Sequence, residues 1–539
     1  MTAITRKQMR DSYKLAVKNI SGFGDTDVFP FPIDNVIFYD REKEIVDLLD
    51  NISGCKPSDL FAQYPLLCDT QLVAAGYFGF RSVTQLDPIW NAFLLGKVLF
   101  LAASIEAQRI APDKCTIFSY RYKPDPEAGS LFDREIGWHA FQTHAVELAQ
   151  QNNFVVSCDI SNFYSRIYHH RLENSLQRIT SDSVTIQQIF GVLTEISNGT
   201  SYGLPVGGPA ARILSELLLD NIDKLLQMKG ITFARFVDDY YIFAQTKAEA
   251  YRNLVFLSEK LMQNEGLSLQ KAKTKIVSAK EFLTTSEFVD HPGVKGEPER
   301  VLRKFRKVRL HYDPYSLTAD DDYANLKSVV AEFDIVGMLR SELRKTRIHE
   351  PTTRKLLTAI KALDPEVQIG AIQTVLDHLE KLIPVFPKAT LLLKDVVRVG
   401  EAEVNEQIFS SLHRLFAENS PVIGIALNMA YALRVLAFDS SIRTDVLLNH
   451  LFEQANSPML KRDIIYIMAN KKAHPWLSDK LKHYSTATIW EQRALFMGSY
   501  LLTDEGAHWR RKVNKTPYCS LIGSWFSARK LSNTHELPI

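Results

Sequence analysis

The sequence is short of several features that mark large classes of protein. It has five cysteines, an odd number with no C-x-x-C pair, which excludes a disulfide framework and a cysteine-based zinc site. Its formal net charge is only +2, so any contact with nucleic acid must come from local basic patches rather than an overall positive field. We therefore expect a protein of a reducing compartment, the cytoplasm.

Long uninterrupted apolar runs are also scarce. The N-terminal stretch "MTAITRKQMRDSYKLAVKN" is polar and lacks the apolar segment of a signal peptide. The most apolar stretch, "IWNAFLLGKVLFLAASIEA", is interrupted by Asn91 and Lys97, which favours a buried helix over a membrane span. The sequence therefore predicts no membrane partner.

The length and the hydrophobic pattern divide the 539 residues into two main parts. Up to about residue 295, strand-like and helix-like segments alternate, whereas beyond it helical segments recur with Pro or Gly between them. Arg and Lys crowd the segment "ERVLRKFRKVRL" at the boundary. We expect an α+β domain over 1–295, a basic linker or groove segment over 296–312, and an all-α helical-repeat domain with HEAT-like helix pairs over 313–539.

Two adjacent acids lie in a run that otherwise reads as the core of a sheet. The run "FARFVDDYYIFA" places Asp238 and Asp239 among aromatic and β-branched residues, which indicates a strand–turn–strand hairpin. A third acid, Asp159, follows the apolar run "FVVSC". A tight turn alone would also explain an Asp-Asp pair, but buried carboxylates are costly unless a cation compensates them. Together, the three acids predict a divalent-cation site for phosphoryl or nucleotidyl transfer.

A glycine-containing loop lies between these acids. The segment "SYGLPVGGPAARILSELLLDNID" carries Gly203, Gly207 and Gly208 before a long helical pattern. Glycine permits close backbone approach, so such a loop lets the main chain reach a nucleotide or a template base. Gly-Pro loops before helices are common, and it is the order of this loop and the acids that is specific.

The order of strand-borne Asp, glycine loop with helix, and Asp-Asp hairpin resembles the palm of reverse transcriptases. "DISNFY", "LPVGG", "FVDD" and "GLSLQKAKTKI" are similar to successive motifs of that family, with Val206 where Gln is usual and Phe236 where Tyr is commoner. The upstream segments "GDTDVFPFPIDNVIFYD" and "FRSVTQLDPIWNAFLL" are similar to bacterial defence-associated (abortive-infection type) reverse transcriptases. The resemblance implies reverse-transcriptase-like fingers and palm, with the helical-repeat domain in place of a conventional thumb.

The resemblance also implies roles for single residues. Asp159 and Asp238 would be the catalytic metal ligands, Asp239 a supporting acid, and the carbonyl of Ile160 a further ligand to two Mg²⁺ ions, or Mn²⁺ in their place. Tyr164 would exclude a ribose 2′-hydroxyl, although an ordinary core aromatic would fit the same pattern. The nucleotide-binding set that the motifs imply is Arg81, Phe163, Tyr164, Pro205, Gly207 and Lys273.

Several of these assignments have plain structural alternatives. Arg81 either grips a triphosphate or faces solvent, and Lys273 either meets pyrophosphate or is one solvated lysine of "KAKTK". His169 and His170 lack metal-ligand spacing and are interpreted as ordinary helix surface. The basic segment either lines a nucleic-acid groove or is a solvated face, and its candidate residues are Arg303, Lys304, Arg306 and Lys307.

The predicted function is that of a DNA polymerase of the reverse transcriptase class, using dNTPs in anti-phage defence. Some defence-associated members are thought to start on a protein hydroxyl and to extend without a conventional template, so Tyr13 and Tyr39 are candidate primers. The expected partners are dNTPs, a DNA product, an RNA template or non-coding RNA, and further copies of the chain in a homo-oligomer. Two alternatives stay open: an RNA-synthesising palm polymerase, and a helical-repeat interaction protein with a vestigial palm.

Overall fold

A computed structural model of the chain describes residues 3–24, 32–286, 301–302, 304–306, 327–328, 330–502, 504–513, 516–530 and 537–539. The part up to residue 286 mixes helices with strands, and the regular elements described after residue 330 are helical. The predicted change from a mixed α+β region to a helical region is therefore present. The HEAT-like character of the second region stays a prediction.

The first part is built from helices around a four-stranded sheet and two small hairpins. Its helices are α1 (Ala3–Phe23), α2 (Pro32–Asp40), α3 (Glu42–Ser53), α4 (Leu60–Gln63), α5 (Pro88–Gln108), α6 (Trp138–Gln151), α7 (Phe163–Arg166), α8 (His169–Ile179), α9 (Ser183–Ile196), α10 (Pro209–Met228), α11 (Lys247–Lys260) and α12 (Ala279–Thr285). Its strands are β1 (Cys68–Ala74), β2 (Phe80–Leu86), β3 (Tyr122–Asp125), β4 (Ser130–Phe132), β5 (Phe154–Asp159), β6 (Thr232–Phe236), β7 (Asp239–Ala244) and β8 (Lys275–Ser278).

The apolar helix α5 forms the centre of the N-terminal helices. It is long and apolar enough to cross a membrane, yet 83% of its most apolar window is buried inside the protein. The polar residues Asn91 and Lys97 are buried as well, and the Lys97 ammonium donates to the Ser53 hydroxyl at 2.7 Å. Helix α1 packs against α5 where Gly96 leaves room for the Tyr13 ring, which an added Cβ would overlap. The interrupted apolar run is thus a buried helix, as predicted.

The four-stranded sheet has the order β6-β7-β5-β8, and its neighbouring strands are antiparallel. Residues of α6 and α12 pack on one face, and residues of α10 and α11 pack on the other. Successive strand residues alternate between these two cores, as Val155 and Val156 do. Because helices cover both faces of the sheet, residues on both sides of each strand are mostly apolar, and the strand sequences are nearly continuous apolar runs.

The second part is a succession of helices joined by short connections. They are α13 (Ile335–Arg344), α14 (Glu350–Ala359), α15 (Pro365–Leu376), α16 (Phe386–Val399), α17 (Ala402–Ala417), α18 (Ala426–Leu436), α19 (Ile442–Gln454), α20 (Pro458–Asn470), α21 (His474–Lys482), α22 (Ile489–Gly498), α23 (Asp504–Lys512) and α24 (Pro517–Lys530). One continuous apolar core runs through both parts, from Met9 of α1 to Ile539.

Buried polar contacts also join the two parts. Asp87, which is fully buried, begins α5 by accepting from Ile89 N at 3.0 Å and forms an ion pair with the Arg493 guanidinium of α22. Trp490 Nε1 of the same helix donates to the Asp87 carboxylate at 3.3 Å. A carboxylate removed from water in this way depends on these partners, so the helical part stabilises the start of the central helix.

The first prediction concerns this junction. Arg493→Met should lower the free energy of unfolding by about 3–5 kcal/mol, because it leaves the buried Asp87 carboxylate without its cation. Chemical denaturation followed by circular dichroism measures the change.

Two further variants complete this test. Lys482→Met removes an exposed ion pair with Asp479 and should cost less than about 1 kcal/mol. Adding Asp87→Asn to Arg493→Met should recover part of the loss, because no buried charge then remains unpaired. If Arg493→Met and Lys482→Met lowered the free energy of unfolding equally, the junction would not depend on the ion pair of Asp87 with Arg493.

Candidate active site

The three predicted acids lie together at one end of the four-stranded sheet. Asp159 ends β5 and pairs in register with Asp239, the first residue of β7. Asp238 occupies the turn between β6 and β7, and its carbonyl accepts from Ile160 N at 3.1 Å. Antiparallel pairing of β5 with β7 therefore joins the first acid motif to the Asp-Asp hairpin.

The turn that carries Asp238 is strained. Strands β6 and β7 pair as far as Phe236 and Asp239, which leaves only Val237 and Asp238 to form the turn. Val237 has a φ of 57°, a left-handed conformation that β-branched residues rarely adopt. Such strain, about 1–3 kcal/mol, persists only where the surrounding structure holds the backbone in place. Here Arg235 Nη1 donates to the Val237 carbonyl at 2.8 Å.

Arg235 belongs to a buried ion network beneath this turn. Its side chain is fully buried, and Nη2 lies 2.6 Å from Asp223 Oδ2 and 2.9 Å from Glu216 Oε2. Arg109 Nη2 lies 2.6 Å from the same Glu216 oxygen, and Ser119 Oγ donates to the other at 2.6 Å. Burial opposes the charged form of Glu216, but Arg235 and Arg109 hold the pKa of its carboxyl below the ordinary range. Two guanidinium groups thus face two carboxylates under the hairpin.

The acids at the end of the sheet, by contrast, carry an excess of negative charge. Burial, and then the charge of Asp159, raise the pKa of Asp238 to about 6. Burial, followed by the charges of Asp238 and Asp159, raises the pKa of Asp239 to about 7. The ammonium of Lys273 is hydrogen-bonded to Asp159 Oδ2, a contact that raises the pKa of Lys273.

This set of donors fits a divalent cation in its chemistry. Carboxylate oxygens are the ligands that Mg²⁺ prefers, and a cation would offset the charge that raises the pKa of Asp238 and Asp239. Within the described part of the chain, however, no group of three or more His, Cys, Asp or Glu side chains is arranged to hold a metal ion. Lys273 lies against Asp159 Oδ2 instead, so a cation that bound this oxygen would displace the ammonium.

Tyr164 lies between the acids and the glycine loop. Its carbonyl accepts from Leu204 N at 2.9 Å, which ties it to the start of the loop. Burial raises the pKa of Tyr164 well above its ordinary value, and its hydroxyl is hydrogen-bonded with Ser215 and Tyr120. The charge of Asp238 also acts on the phenol. A neutral aromatic side chain is therefore held beside the acid turn.

Two of the three glycines in the glycine loop have positive φ angles. Gly203 has a φ of 98° and Gly207 a φ of 109°, both in a region that disfavours other residues. Gly207 lines a cavity of about 310 Å³ together with Arg134 and Arg212. Pro205 lies half-buried nearby in the loop. The cavity has the size of a small-ligand site and two cationic side chains in its wall.

Comparison with known protein families identifies this region. The family described as "Reverse transcriptase (RNA-dependent DNA polymerase)" matches residues 106–301, which include the acids, the loop and Lys273. The chain contains a reverse transcriptase domain. The domain indicates RNA-directed DNA polymerase activity, which is a nucleotidyl transfer, and polymerases of this family generally use divalent metals.

Solved structures similar to the chain include two telomerases. Apo telomerase from Candida tropicalis is 12% identical, over 71% of this chain and 74% of that one, with a TM-score of 0.33. Telomerase from Candida albicans, in complex with the TWJ fragment of telomeric RNA, is 10% identical over 82% and 65%, with a TM-score of 0.30. A search of curated proteins found no match.

Two nucleotide-binding predictions fall outside the cluster of acids. Arg81 lies on β2, paired with Val73 of β1, and its exposed side chain acts electrostatically on Arg354 of the helical part. Its role in gripping a triphosphate stays a prediction. Phe163 is 3% exposed, and its ring centroid lies 5.3 Å from that of Tyr164. Phe163 therefore supports Tyr164 from the core of the reverse transcriptase domain.

The basic segment is only partly described. Arg303 and Lys307 lie outside the described residues, and Lys304 is exposed. Arg306 Nε donates to Thr352 Oγ1 at 2.7 Å, and its carbonyl accepts from Lys355 Nζ at 2.6 Å. Arg306 is thus bound to helix α14, and its Nε–H donates to that helix rather than to a nucleic acid. The groove itself stays a prediction.

The structure corrects two further predictions. Tyr13 is fully buried against α5, so its hydroxyl cannot serve as a primer in this fold, whereas Tyr39 is 78% exposed and stays a candidate. His169 is not ordinary helix surface, because it is 5% exposed and its Nε2 lies 2.7 Å from the Gly203 carbonyl. That contact ties the first turn of α8 to the glycine loop, while His170 is exposed as predicted.

The buried network is what sequence reasoning missed. Glu216, Asp220 and Asp223 stand at a helical spacing of four and three within an apolar pattern, which places acids on one face of α10. Arg235 interrupts the apolar strand before the Asp-Asp pair. A charged residue in an apolar strand, together with a row of acids on one face of a helix, could therefore have predicted the ion network. Tyr120 and Arg212, whose groups stack at 5.0 Å, gave no comparable signal.

The second prediction tests the network as the support of the hairpin. Arg235→Met should lower the free energy of unfolding by about 3–5 kcal/mol, because Glu216 and Asp223 lose a shared cation and the strained turn loses a hydrogen bond. Denaturant unfolding measures the loss.

The exposed Arg252 of α11 supplies the matched control, and Arg252→Met should change stability by less than about 1 kcal/mol. Combining Arg235→Met with Asp223→Asn should recover part of the loss. A cost for Arg235→Met no greater than that for Arg252→Met would contradict this account.

The third prediction is a pH dependence of stability in EDTA. The folded-state pKa values of Asp238 and Asp239 are raised above the ordinary 3.8, so the folded protein is more stable when these carboxyls are protonated. This stability is lost as pH rises through the folded-state pKa values of about 6 and 7. From pH 5 to 8, the double variant Asp238→Asn/Asp239→Asn should gain about 1–4 kcal/mol in unfolding free energy relative to the wild type.

Subtracting the unfolding free energy of the wild type from that of the variant at each pH removes the contribution of groups that titrate alike in both proteins. Asp238→Asn alone should show part of the gain in unfolding free energy, because it also removes a charge that acts on Asp239. A difference between wild type and double variant that stays constant with pH would show that these carboxylates are not under electrostatic strain.

Proposed function

We propose that the chain is a DNA polymerase of the reverse transcriptase class that transfers deoxynucleotides from dNTPs at the end of the four-stranded sheet. The observation that carries the proposal is the register of β5 with β7, which sets Asp159 opposite Asp239 and beside Asp238. A structural Asp-Asp turn would not need a third acid in the neighbouring strand, nor a balanced ion network beneath it.

Asp159 and Asp238, with Asp239 and the Ile160 carbonyl, would hold two Mg²⁺ or Mn²⁺ ions. When bound, such ions supply activation of the attacking hydroxyl and stabilisation of the leaving pyrophosphate. Lys273, released from Asp159, would donate hydrogen bonds to phosphate oxygens. The excess negative charge of the acids supports this assignment, since it disfavours the cation-free state.

Tyr164 would select deoxynucleotides. Its ring is held from behind by Phe163 and at its hydroxyl by Tyr120 and Ser215, so it has little freedom to move aside for a 2′-hydroxyl. The glycine loop that bonds to the Tyr164 carbonyl would pass beneath the base or the template. An RNA-synthesising enzyme would need space at this position.

We further propose that synthesis serves anti-phage defence in the cytoplasm, starts on a protein hydroxyl and does not depend on a conventional template. The segments that resemble defence-associated reverse transcriptases support this, and Tyr39 is an exposed hydroxyl in one of them. The helical part, with HEAT-like helix pairs, would take the place of the thumb and build a homo-oligomer. An RNA template or non-coding RNA would be an alternative partner.

The fourth prediction is the test of this function. Purified protein incubated with Mg²⁺ and each labelled dNTP separately should form a DNA product, and Asp238→Asn should reduce incorporation by about 10³-fold or more. Product that stays with the protein after denaturation and is released by nuclease would support protein priming. Product formed equally by Asp238→Asn would place the chemistry elsewhere in the chain.

Tyr164→Ala should raise the use of ribonucleotides relative to deoxynucleotides, because the ring that excludes the 2′-hydroxyl is gone. Tyr251→Ala is the control, since Tyr251 is an exposed tyrosine of α11 outside the acids and the glycine loop. Preference for NTPs by the wild type would favour an RNA polymerase. Full biological activity of a variant without Asp238 and Asp239 would favour a helical interaction protein with a vestigial palm.

A further inference from the structure

A second polar cavity lies on another side of the reverse transcriptase domain, between α8, the end of α10 and the segment that follows α11. Its volume is about 360 Å³, which is in the range of small-ligand sites. Arg171 and Arg178 of α8 and Lys224 of α10 bring positive charge to its wall, and Glu265 brings a single carboxyl group. None of these residues takes part in the proposed nucleotidyl transfer.

Glu265 is unusual among the residues that line this cavity. It is 6% exposed, and within the described residues its Oε2 has no hydrogen-bond partner. Burial raises the pKa of Glu265 to about 7, although Arg171 and Arg178 act to lower it. The two guanidinium groups are thus close enough to act on the carboxyl, but no described ion pair joins them to it. A buried acceptor without a partner calls for an explanation, and in the wall of a cavity a donor on a bound ligand supplies one.

The backbone also departs from regular helix at this point. Residues Leu261–Glu265 form a π-helical turn, which ends at Gly266 with a φ of 69°. Short π-helical segments occur frequently at functional sites, because the wider turn redirects the side chains that it carries. This turn places Asn264 and Glu265 together in the cavity wall.

We propose that this cavity binds a guanine nucleotide. The Watson–Crick edge of guanine offers two adjacent donors, the N1–H and the exocyclic amino group, which match the two oxygens of one carboxylate. Arg171 and Arg178 supply cationic donors for phosphate on the same cavity wall. Adenine offers one such donor beside an acceptor, so it satisfies the carboxylate less well.

The size and charge of the cavity favour a free nucleotide over a nucleic acid strand. A volume of about 360 Å³ holds a single nucleotide, and Glu265 would repel a continuous chain of phosphates. Lys224 is hydrogen-bonded to the Gln108 carbonyl at 2.6 Å and ion-paired with Asp220 at 2.7 Å, so Arg171 and Arg178 are the cations that the proposal relies on for phosphate. The site is separate from the acids of β5 and β7 and does not need them for binding.

Isothermal titration of the full chain in EDTA, with GMP, AMP and inorganic phosphate as probes, tests the proposal. GMP should bind at one site per chain and about tenfold or more tighter than AMP. Glu265→Gln should weaken GMP binding about tenfold or more and leave phosphate binding unchanged, because it removes the acceptor for the base. Arg178→Met, at an exposed side chain that leaves folding intact, should weaken both.

Matched controls come from the neighbouring helix α11, where Glu259→Gln and Arg252→Met change exposed charges outside the cavity. Both should bind GMP as the wild type does, and thermal melts should show that every variant is folded. Three results would each overturn the proposal: no saturable GMP binding, equal affinity for GMP and AMP, or unchanged GMP binding by both Glu265→Gln and Arg178→Met.

Discussion

The buried contact of Arg235 with Glu216 and Asp223 is the constraint on which the active-site geometry depends. Arg235 lies at 2.6 Å from one carboxylate and 2.9 Å from the other, and it also holds the carbonyl of the strained residue Val237. A hairpin with a left-handed valine would otherwise relax toward a wider turn. Helix α10, which carries Glu216 and Asp223, thereby helps to hold the Asp-Asp turn at the end of the sheet.

The ion network around Arg235 and the acids at the end of the sheet differ in their balance of charge. Below the turn, the guanidinium groups of Arg235 and Arg109 are paired with the carboxylates of Glu216 and Asp223. At the end of the sheet, Lys273 is the described ion-pair partner of Asp159, while the pKa values of Asp238 and Asp239 rise toward neutrality. Carboxyl groups with raised pKa values at the end of a sheet are the arrangement expected of residues kept for chemistry rather than for stability.

The positions of the acids could be predicted from sequence because each follows from a local pattern. Asp159 ends an apolar run, and Asp238 lies between two runs that pair as a hairpin, so strand pairing brings them together. The same reasoning predicted the helical second part and the glycine loop. It could not predict that Asp87 pairs with Arg493, or that Tyr13 fits against Gly96, because such contacts join segments with no pattern in common. His169 was misjudged for the same reason, since its partner is the Gly203 carbonyl of a distant loop.

In the proposed function, Asp159 gives up its contact with Lys273 when a nucleotide binds, and Asp159 and Asp238 then share divalent metal. A crystal structure with Mn²⁺ and a non-hydrolysable dNTP analogue, recorded with the anomalous signal of manganese, tests this directly. The account predicts manganese bound to both carboxylates, with the Lys273 ammonium displaced from Asp159 toward phosphate. Manganese absent from these carboxylates, with Lys273 still bound to Asp159 and the nucleotide elsewhere, would contradict it.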